Sequence, residues 1–329
     1  PTGKAAQRLG DALRVGGASA PETSTVHRLL GYQPTRQRYA RDATNPIDAE
    51  LVVIDEASML DLETLAALLD ALPPTAALWL LGDADQLSPI GPGSALQDLV
   101  QALEAQADAH RALPLVRLTH SFRANADLQA ISAALRTADP RAKCFATREG
   151  ARGAETVNAR LDALLRRHTR RVGAATGRAN AGAANDVDRD GAHYPGRRLL
   201  ITRNDPDTGL FNGDVGVVLA DADGRLRAWF DGDDGARALP LGLLPAHTPA
   251  FALTVHKSQG SEYGHVAVLL PDDPTHRVLS RELLYTAASR ARTRLDLHAS
   301  SEVIDAALAR PVRRMGGLHA RLAEALASR

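Results

Sequence analysis

The sequence predicts an α/β fold: a parallel sheet covered on both faces by helices, with a small antiparallel β insert in its second half. Three observations predict it. Leu51-Val52-Val53-Ile54 is a continuous apolar run ending in Asp55-Glu56, and Leu78-Trp79-Leu80-Leu81 is a second run ending in Gly82-Asp83. Strands that are apolar on both faces belong in a parallel sheet buried on both sides. Between the two runs a helical pattern extends from Leu60 to Leu72, where Pro73-Pro74 stops it. Far along the chain, Val215–Leu219 and Leu226–Phe230 flank Asp221-Ala-Asp-Gly224, a turn sequence that predicts a hairpin.

The remaining elements follow in order. Residues 138–198 are rich in Arg, Gly, Ala and Asn, with little apolar periodicity beyond a helix around Val157–Arg166. Leu199–Thr202 opens the β-rich insert. The α/β pattern resumes with strands at Phe251–Val255 and Val266–Leu270 and a helix from Arg281 to about Arg292. Charged residues gather just past the strand ends, where open α/β sheets place their ligands.

Length and composition narrow the class. At roughly 150 residues per domain, 329 residues predict about two domains, each able to bury a core. Lys+Arg and Asp+Glu both total 39, so any contact with nucleic acid must be local. Only Lys4, Lys143 and Lys257 are lysines. The single cysteine, Cys144, excludes an intrachain disulfide framework and a multi-cysteine metal site. No apolar run is long enough to span a bilayer, and no signal pattern opens the chain. The expectation is a soluble cytoplasmic protein with no membrane partner. Aromatics are 4% of the residues, which gives no obvious broad base-stacking surface.

Two polar clusters carry chemistry. At the end of a buried strand, Asp55-Glu56 suits a nucleoside-triphosphate site, in which Asp55 holds Mg²⁺ through water and Glu56 orients and deprotonates the attacking water. The plainer reading of the cluster alone is a cap on the next helix by Asp55 or Ser58. Gly82-Asp83-Ala84-Asp85-Gln86-Leu87 supplies a second cluster beside it, with Gln86 placed to sense a γ-phosphate or the attacking water; an ordinary turn is its alternative. His27 and His256, taken singly, read as satisfied core or loop histidines.

Eight stretches, in order, resemble the motifs of the superfamily 1 helicases and, within them, the RecD (exonuclease V alpha subunit) family. Pro1–Leu9 resembles motif Ia, Ser24–Gly31 motif Ib, Val53–Met59 motif II and Leu80–Leu87 motif III. Leu118–Arg123 is similar to motif IV, Phe211–Gly216 to the family's β-insert signature, Thr254–Glu262 to motif V and Leu284–Arg292 to motif VI. The resemblance implies two RecA-like P-loop NTPase-type domains, the first (1–112) without its P-loop strand and the second (113–329) carrying an SH3-like, β-rich insert at about 196–248. It implies an ATP- and Mg²⁺-dependent 5′→3′ DNA helicase, a subunit of a RecBCD-type exonuclease V complex in break repair and recombination. Its partners would be single-stranded or duplex-end DNA and RecB- and RecC-like subunits. Arg123 and Arg290 would reach the γ-phosphate as arginine fingers. Gly260 would let the backbone approach the phosphate, and Glu262 would contact the ribose. Thr2, Lys4, Thr25, His27, Thr254 and His256 match positions that bind the DNA strand.

One motif is missing. The family's phosphate-cradling loop ends in Gly-Lys-Thr, and its lysine bonds the β- and γ-phosphates. Lys4 is followed by Ala5, Lys143 by Cys144, and Lys257 is preceded by His256, so none of the three lysines qualifies. That loop is expected ahead of Pro1 or nowhere; if nowhere, the alternative is a non-hydrolysing DNA-binding or scaffold remnant of a helicase. The lysines also exclude a nuclease signature of Glu/Asp-x-Lys, since Thr2, Arg141 and Val255 stand two residues before them. The aspartates at 221, 223, 231, 233 and 234 lack EF-hand spacing and read as solvated turns.

Overall fold

The computed structural model describes residues 2–15, 22–33, 35–89, 91–105, 115–118, 126–136, 146–147, 154–175, 193–205, 207–232, 235–312 and 317–327. Two compact units divide the chain: Pro1–Ala151 together with Ser258–Arg329, and Arg152–Lys257. In chain order the elements are α1 (Gly3–Val15), α2 (Val26–Leu29), β1 (Leu51–Ile54), α3 (Leu62–Ala71), β2 (Ala77–Leu80), α4 (Ala95–Glu104), α5 (Ala126–Arg136) and β3 (Ala146–Thr147). Then follow α6 (Ala154–Ala175), β4 (Arg198–Ile201), β5 (Val215–Ala220), β6 (Leu226–Gly232), β7 (Gly235–Pro240) and β8 (His247–Pro249). The chain closes with β9 (Tyr263–Leu269), α7 (Arg281–Ala288), β10 (Ala291–His298), α8 (Ser301–Leu308) and α9 (Leu318–Ala327).

In the first unit β1 and β2 pair in parallel, Leu51 opposite Ala77 through Ile54 opposite Leu80. A second parallel sheet has the order β3-β10-β9. Helix α3 starts where the sequence places a cap: the Asp61 carboxylate accepts from the Thr64 amide at 2.8 Å. Its buried face, Leu65, Leu68 and Ala71, recurs at helical spacing. Leu68 and Ala71 join Val52, Ile54, Leu60, Leu30 and Leu96 in one core that fixes the β1 end. Serine caps start α7 and α8, Ser280 on the Leu283 amide and Ser300 on the Val303 amide.

The second unit is an antiparallel sheet of order β7-β6-β5-β4-β8 joined to α6. Leu199, Ile201, Val218, Ala228 and Phe230 form its core. The expected hairpin links β5 to β6, with the Asp221 carboxylate accepting from the amides of Asp223 and Arg225 and Gly224 at φ +79°.

Four expectations are corrected. Phe251–Val255 forms no strand: the Asn158 side chain takes both the amide and the carbonyl of Ala252, at 2.7 and 2.8 Å, where a neighbouring strand would bond. The helix from Arg281 ends at Ala288, because β10 begins at Ala291 and pairs with β9. Helix α6 runs from Ala154 to Ala175, well past both ends of the expected Val157–Arg166, because its Ala- and Arg-rich flanks are good helix formers without apolar periodicity. Finally, β2 is not buried on both sides. Trp79 is 58% exposed, and among the described residues β2 pairs only with β1.

Candidate functional site

The parallel register brings the carboxyl ends of β1 and β2 together. The Leu81 amide bonds the Ile54 carbonyl and the Ala57 amide bonds the Leu81 carbonyl, both at 2.8 Å. The two polar clusters therefore leave the sheet side by side. Gly82 permits this closeness, since a Cβ there would stand 2.9 Å from the Ala57 nitrogen and 3.0 Å from the Ser58 nitrogen. Those atoms are backbone and cannot swing away. Gly82→Ala is therefore expected to cost about 1 to 3 kcal/mol, as overpacking does, measured by denaturant unfolding.

Glu56 occupies the left-handed region at φ 52°, ψ 41°. Non-glycine residues held there store strain, and such strain clusters at functional sites. The Asp55 carboxylate accepts from the Glu56 amide at 2.8 Å, which ties the pair together. Burial pushes the Glu56 carboxyl above the ordinary carboxylate range, while the Arg290 guanidinium pulls it back down.

Arg290 is 6% exposed. Its guanidinium donates to the carbonyls of Thr286 (3.1 Å) and Ser261 (3.3 Å) and to the Ser289 hydroxyl (2.9 Å). Burial lowers its pKa, and Glu56, Glu262, Asp83 and Tyr285 act in the opposite direction. Among the described residues Glu56 and Arg290 make no direct ion pair, so they share a field without neutralising each other.

Asp83 organises the second cluster. Its Oδ2 accepts from Gln86 Nε2 at 3.2 Å and from the Tyr285 hydroxyl at 2.7 Å, and its Oδ1 accepts from the Asp85 amide at 3.0 Å. Gln86 Oε1 is buried and, among the described residues, has no partner. A buried acceptor with nothing to accept is costly and calls for a donor from outside the chain, such as a water.

The other expected residues divide by location. Thr2 caps α1, accepting from the Ala5 amide at 3.2 Å, and its hydroxyl is the atom nearest to where a Cβ on Gly260 would sit, at 3.9 Å. Gly260 has φ +70°, open to glycine. Glu262 accepts two hydrogen bonds from Arg292, at 3.0 and 2.8 Å. Lys4 lies on α1, its side chain outside the described residues. Thr25 caps α2, accepting from the Arg28 amide at 3.3 Å. Thr254 and His256 belong to the second unit, where the Thr254 hydroxyl accepts from the Lys257 amide at 3.3 Å. Arg123 lies outside the described residues.

Several partners of the expected residues were not found by sequence reasoning. His27 meets Tyr32 edge-on at 5.4 Å and Tyr39 at 6.0 Å, and the two tyrosines lie 5.3 Å apart, so a small aromatic cluster exists despite the sparse composition. Tyr285, Thr286 and Gln259 also surround the site, bonded to Asp83 and Leu87 of the second cluster. Thr286 stood one helical turn before Arg290, a spacing that places both on one face. Among the described residues no group of three or more His, Cys, Asp or Glu gathers as a metal site. Asp55 suits Mg²⁺, which binds through one or two carboxylates with water and substrate phosphates supplying the rest.

Known proteins match both halves of this arrangement. A family described as an AAA domain matches residues 1–92, and the UvrD-like helicase C-terminal domain matches residues 249–297. Pif1 from Bacteroides, solved with ADP-AlF3 and single-stranded DNA, superposes with a TM-score of 0.51 at 17% identity, over 97% of this chain and 86% of that one. The fold and the two family matches define the class: an α/β chain of P-loop helicase-like fold. The RecBCD enzyme subunit RecD of Mycobacterium tuberculosis H37Rv is 35% identical over 98% of this chain and 63% of its own length. The ATP-dependent RecD2 DNA helicase of Deinococcus radiodurans is 34% identical over 94% of this chain and 44% of its own. The chain belongs to the RecD family, and it spans just under two thirds of the length of the RecD relative from M. tuberculosis.

Proposed function

We propose that this chain is the motor portion of an ATP-dependent 5′→3′ DNA helicase, a subunit of a RecBCD-type exonuclease V complex that acts in double-strand break repair and recombination. The observation that carries the reading is the shared, water-poor environment of Glu56, Arg290 and the unpartnered acceptor of Gln86. Family membership supports the polarity, the cytoplasmic location and the RecB- and RecC-like partners. Residues 1–112 would form the first RecA-like domain and 113–329 the second, with the insert at about 196–248. Among the described residues no helix is long and apolar enough to cross a membrane.

In this reading Glu56 takes a proton from the attacking water while Gln86 accepts its other hydrogen. Arg290 stabilises the charge that develops on the phosphoryl oxygens. Asp55 would hold Mg²⁺ through water, and the ion would neutralise phosphate charge. Arg123 would act as a second cationic group. Gly260 would give the phosphates close access to backbone, and Glu262, steadied by Arg292, would meet the ribose. Thr2, Lys4, Thr25, His27, Thr254 and His256 would hold the DNA strand.

ATP hydrolysis stimulated by single-stranded DNA tests the reading, with a family phosphate-binding strand and Gly-Lys-Thr loop joined ahead of Pro1. Turnover is expected in that protein and not in the 329-residue chain, which has no Gly-Lys-Ser/Thr sequence. DNA binding without hydrolysis in both would favour the scaffold reading. For the strand contact, Tyr32→Ala should cost about 1 to 3 kcal/mol of single-strand affinity, as removal of a base-stacking ring does. Fluorescence anisotropy against labelled oligonucleotide measures it. Unchanged affinity would remove the aromatic cluster from the DNA path.

A further inference from the structure

The segment that carries Gln86 is held by side chains to which no role has yet been assigned. Leu87, its immediate neighbour, donates its amide to the Thr286 hydroxyl at 2.7 Å, a buried bond between residues 199 positions apart. Its carbonyl accepts from Gln259 Nε2 at 3.2 Å, also buried. Three residues before Gln86, the Asp83 carboxylate accepts from both the Gln86 side-chain amide and the Tyr285 hydroxyl. Both backbone polar groups of Leu87 are thus fixed by the side chains of Thr286 and Gln259, and the Gln86 side-chain amide by Asp83, whose carboxylate the Tyr285 hydroxyl holds.

Thr286 also reaches the other side of the site. Its carbonyl accepts from Arg290 Nε at 3.1 Å, while its side chain, 0% exposed, holds Leu87. A continuous path of hydrogen bonds therefore runs from the Gln86 segment through one residue to the guanidinium. Tyr285 supports the same path from the Asp83 end, and burial together with the Asp83 charge pushes its phenol well above the ordinary tyrosine range, so it stays a donor at any working pH.

We infer that Tyr285 and Thr286 are positioning residues that clasp Asp83–Leu87 and set the distance between Gln86 and Arg290, so that water orientation and charge stabilisation switch on together. The inference rests on the proposed function for its kinetic consequence and on geometry alone for the clasp. A phosphoryl transfer made of two independently placed groups loses rate steeply when one drifts, about 100-fold for a shift of an ångström. The clasp removes that freedom.

Isosteric substitutions test it. Thr286→Val keeps the buried volume and deletes the hydroxyl; Thr286→Ser keeps the hydroxyl; Tyr285→Phe deletes only the phenol oxygen. In the full chain, Leu87 amide hydrogen exchange should rise at least about tenfold in Thr286→Val, as expected for the loss of a buried acceptor, and return to the wild-type rate in Thr286→Ser. Unchanged exchange in Thr286→Val overturns the clasp. In the ATPase assay on the loop-supplied protein, Thr286→Val and Tyr285→Phe should lower kcat by about 10- to 100-fold while the KM for ATP stays put, with Thr286→Ser close to wild type. Wild-type kcat in both variants, or equal losses in kcat and affinity, overturns the positioning role. If the loop-supplied protein without these substitutions fails to hydrolyse ATP, the functional reading falls instead, and the exchange measurement still decides the clasp.

Discussion

Arg290→Ala is expected to lower DNA-stimulated ATP hydrolysis by about 10³- to 10⁵-fold, the range over which arginine fingers act, in the protein supplied with a phosphate-binding loop. The KM for ATP should change little. Arg290 is buried against three backbone and hydroxyl acceptors, so its side chain is already in place before any phosphate arrives. A group that needs no reorganisation stabilises the transition state at no further cost. Truncation also removes the Arg290 bonds to the Ser261 carbonyl and to the Thr286 carbonyl, which keeps the Ser289 hydroxyl as a donor, so Arg290→Lys is a useful companion: it keeps the charge but loses the planar fork. Equal losses of hydrolysis and of nucleotide binding in both variants would mean that Arg290 grips the ground state and is no finger.

Glu56→Gln should reduce hydrolysis by about 10²- to 10⁴-fold, the contribution of a positioned general base, and leave DNA affinity intact. The left-handed backbone at Glu56 is retained by Gln, so the loss reports chemistry rather than folding. In the wild type the acid limb of kcat/KM should lie above the ordinary carboxylate range, because burial raises the Glu56 pKa and only the ionised form accepts the proton. Stability carries the same sign. A carboxyl whose folded pKa exceeds its unfolded value contributes stability below the unfolded value and loses it as pH rises through the folded one. Glu56→Gln should therefore melt higher than wild type at neutral pH, with the gap closing in acid, as thermal denaturation across pH will show. A lower melting temperature at neutral pH would mean that the ionised carboxylate is well compensated.

Much of this site was legible in the sequence because local rules govern its parts. The apolar runs at Leu51–Ile54 and Leu78–Leu80 specify parallel strands, and their ends specify where Asp55, Glu56 and Gln86 emerge. The Asp221–Gly224 turn and the Pro73-Pro74 stop act within a few residues and were equally readable. What sequence pattern does not contain is the partner across the chain. Tyr285 meets Asp83 over 202 positions and Thr286 meets Leu87 over 199. Nothing in either stretch marks such a bond except helical spacing to Arg290. The same blindness explains Phe251–Val255, whose β-like composition is overruled by one amide side chain, that of Asn158, from a distant helix. Glu262 shows a subtler case: motif position marks it for ribose, yet its bidentate partner, Arg292, becomes visible only once β9 and β10 pair.

Whether Glu56 and Arg290 serve one hydrolytic site is tested most directly by a double-mutant cycle on ATP hydrolysis in the presence of single-stranded DNA. Wild type, Glu56→Gln, Arg290→Ala and the double variant are compared in the loop-supplied protein. Residues that act on one transition state as a unit are strongly non-additive. The expected result is a double variant about as slow as the slower single variant. Losses that multiply, giving a double variant slower by the product of the two single effects, would contradict a shared site.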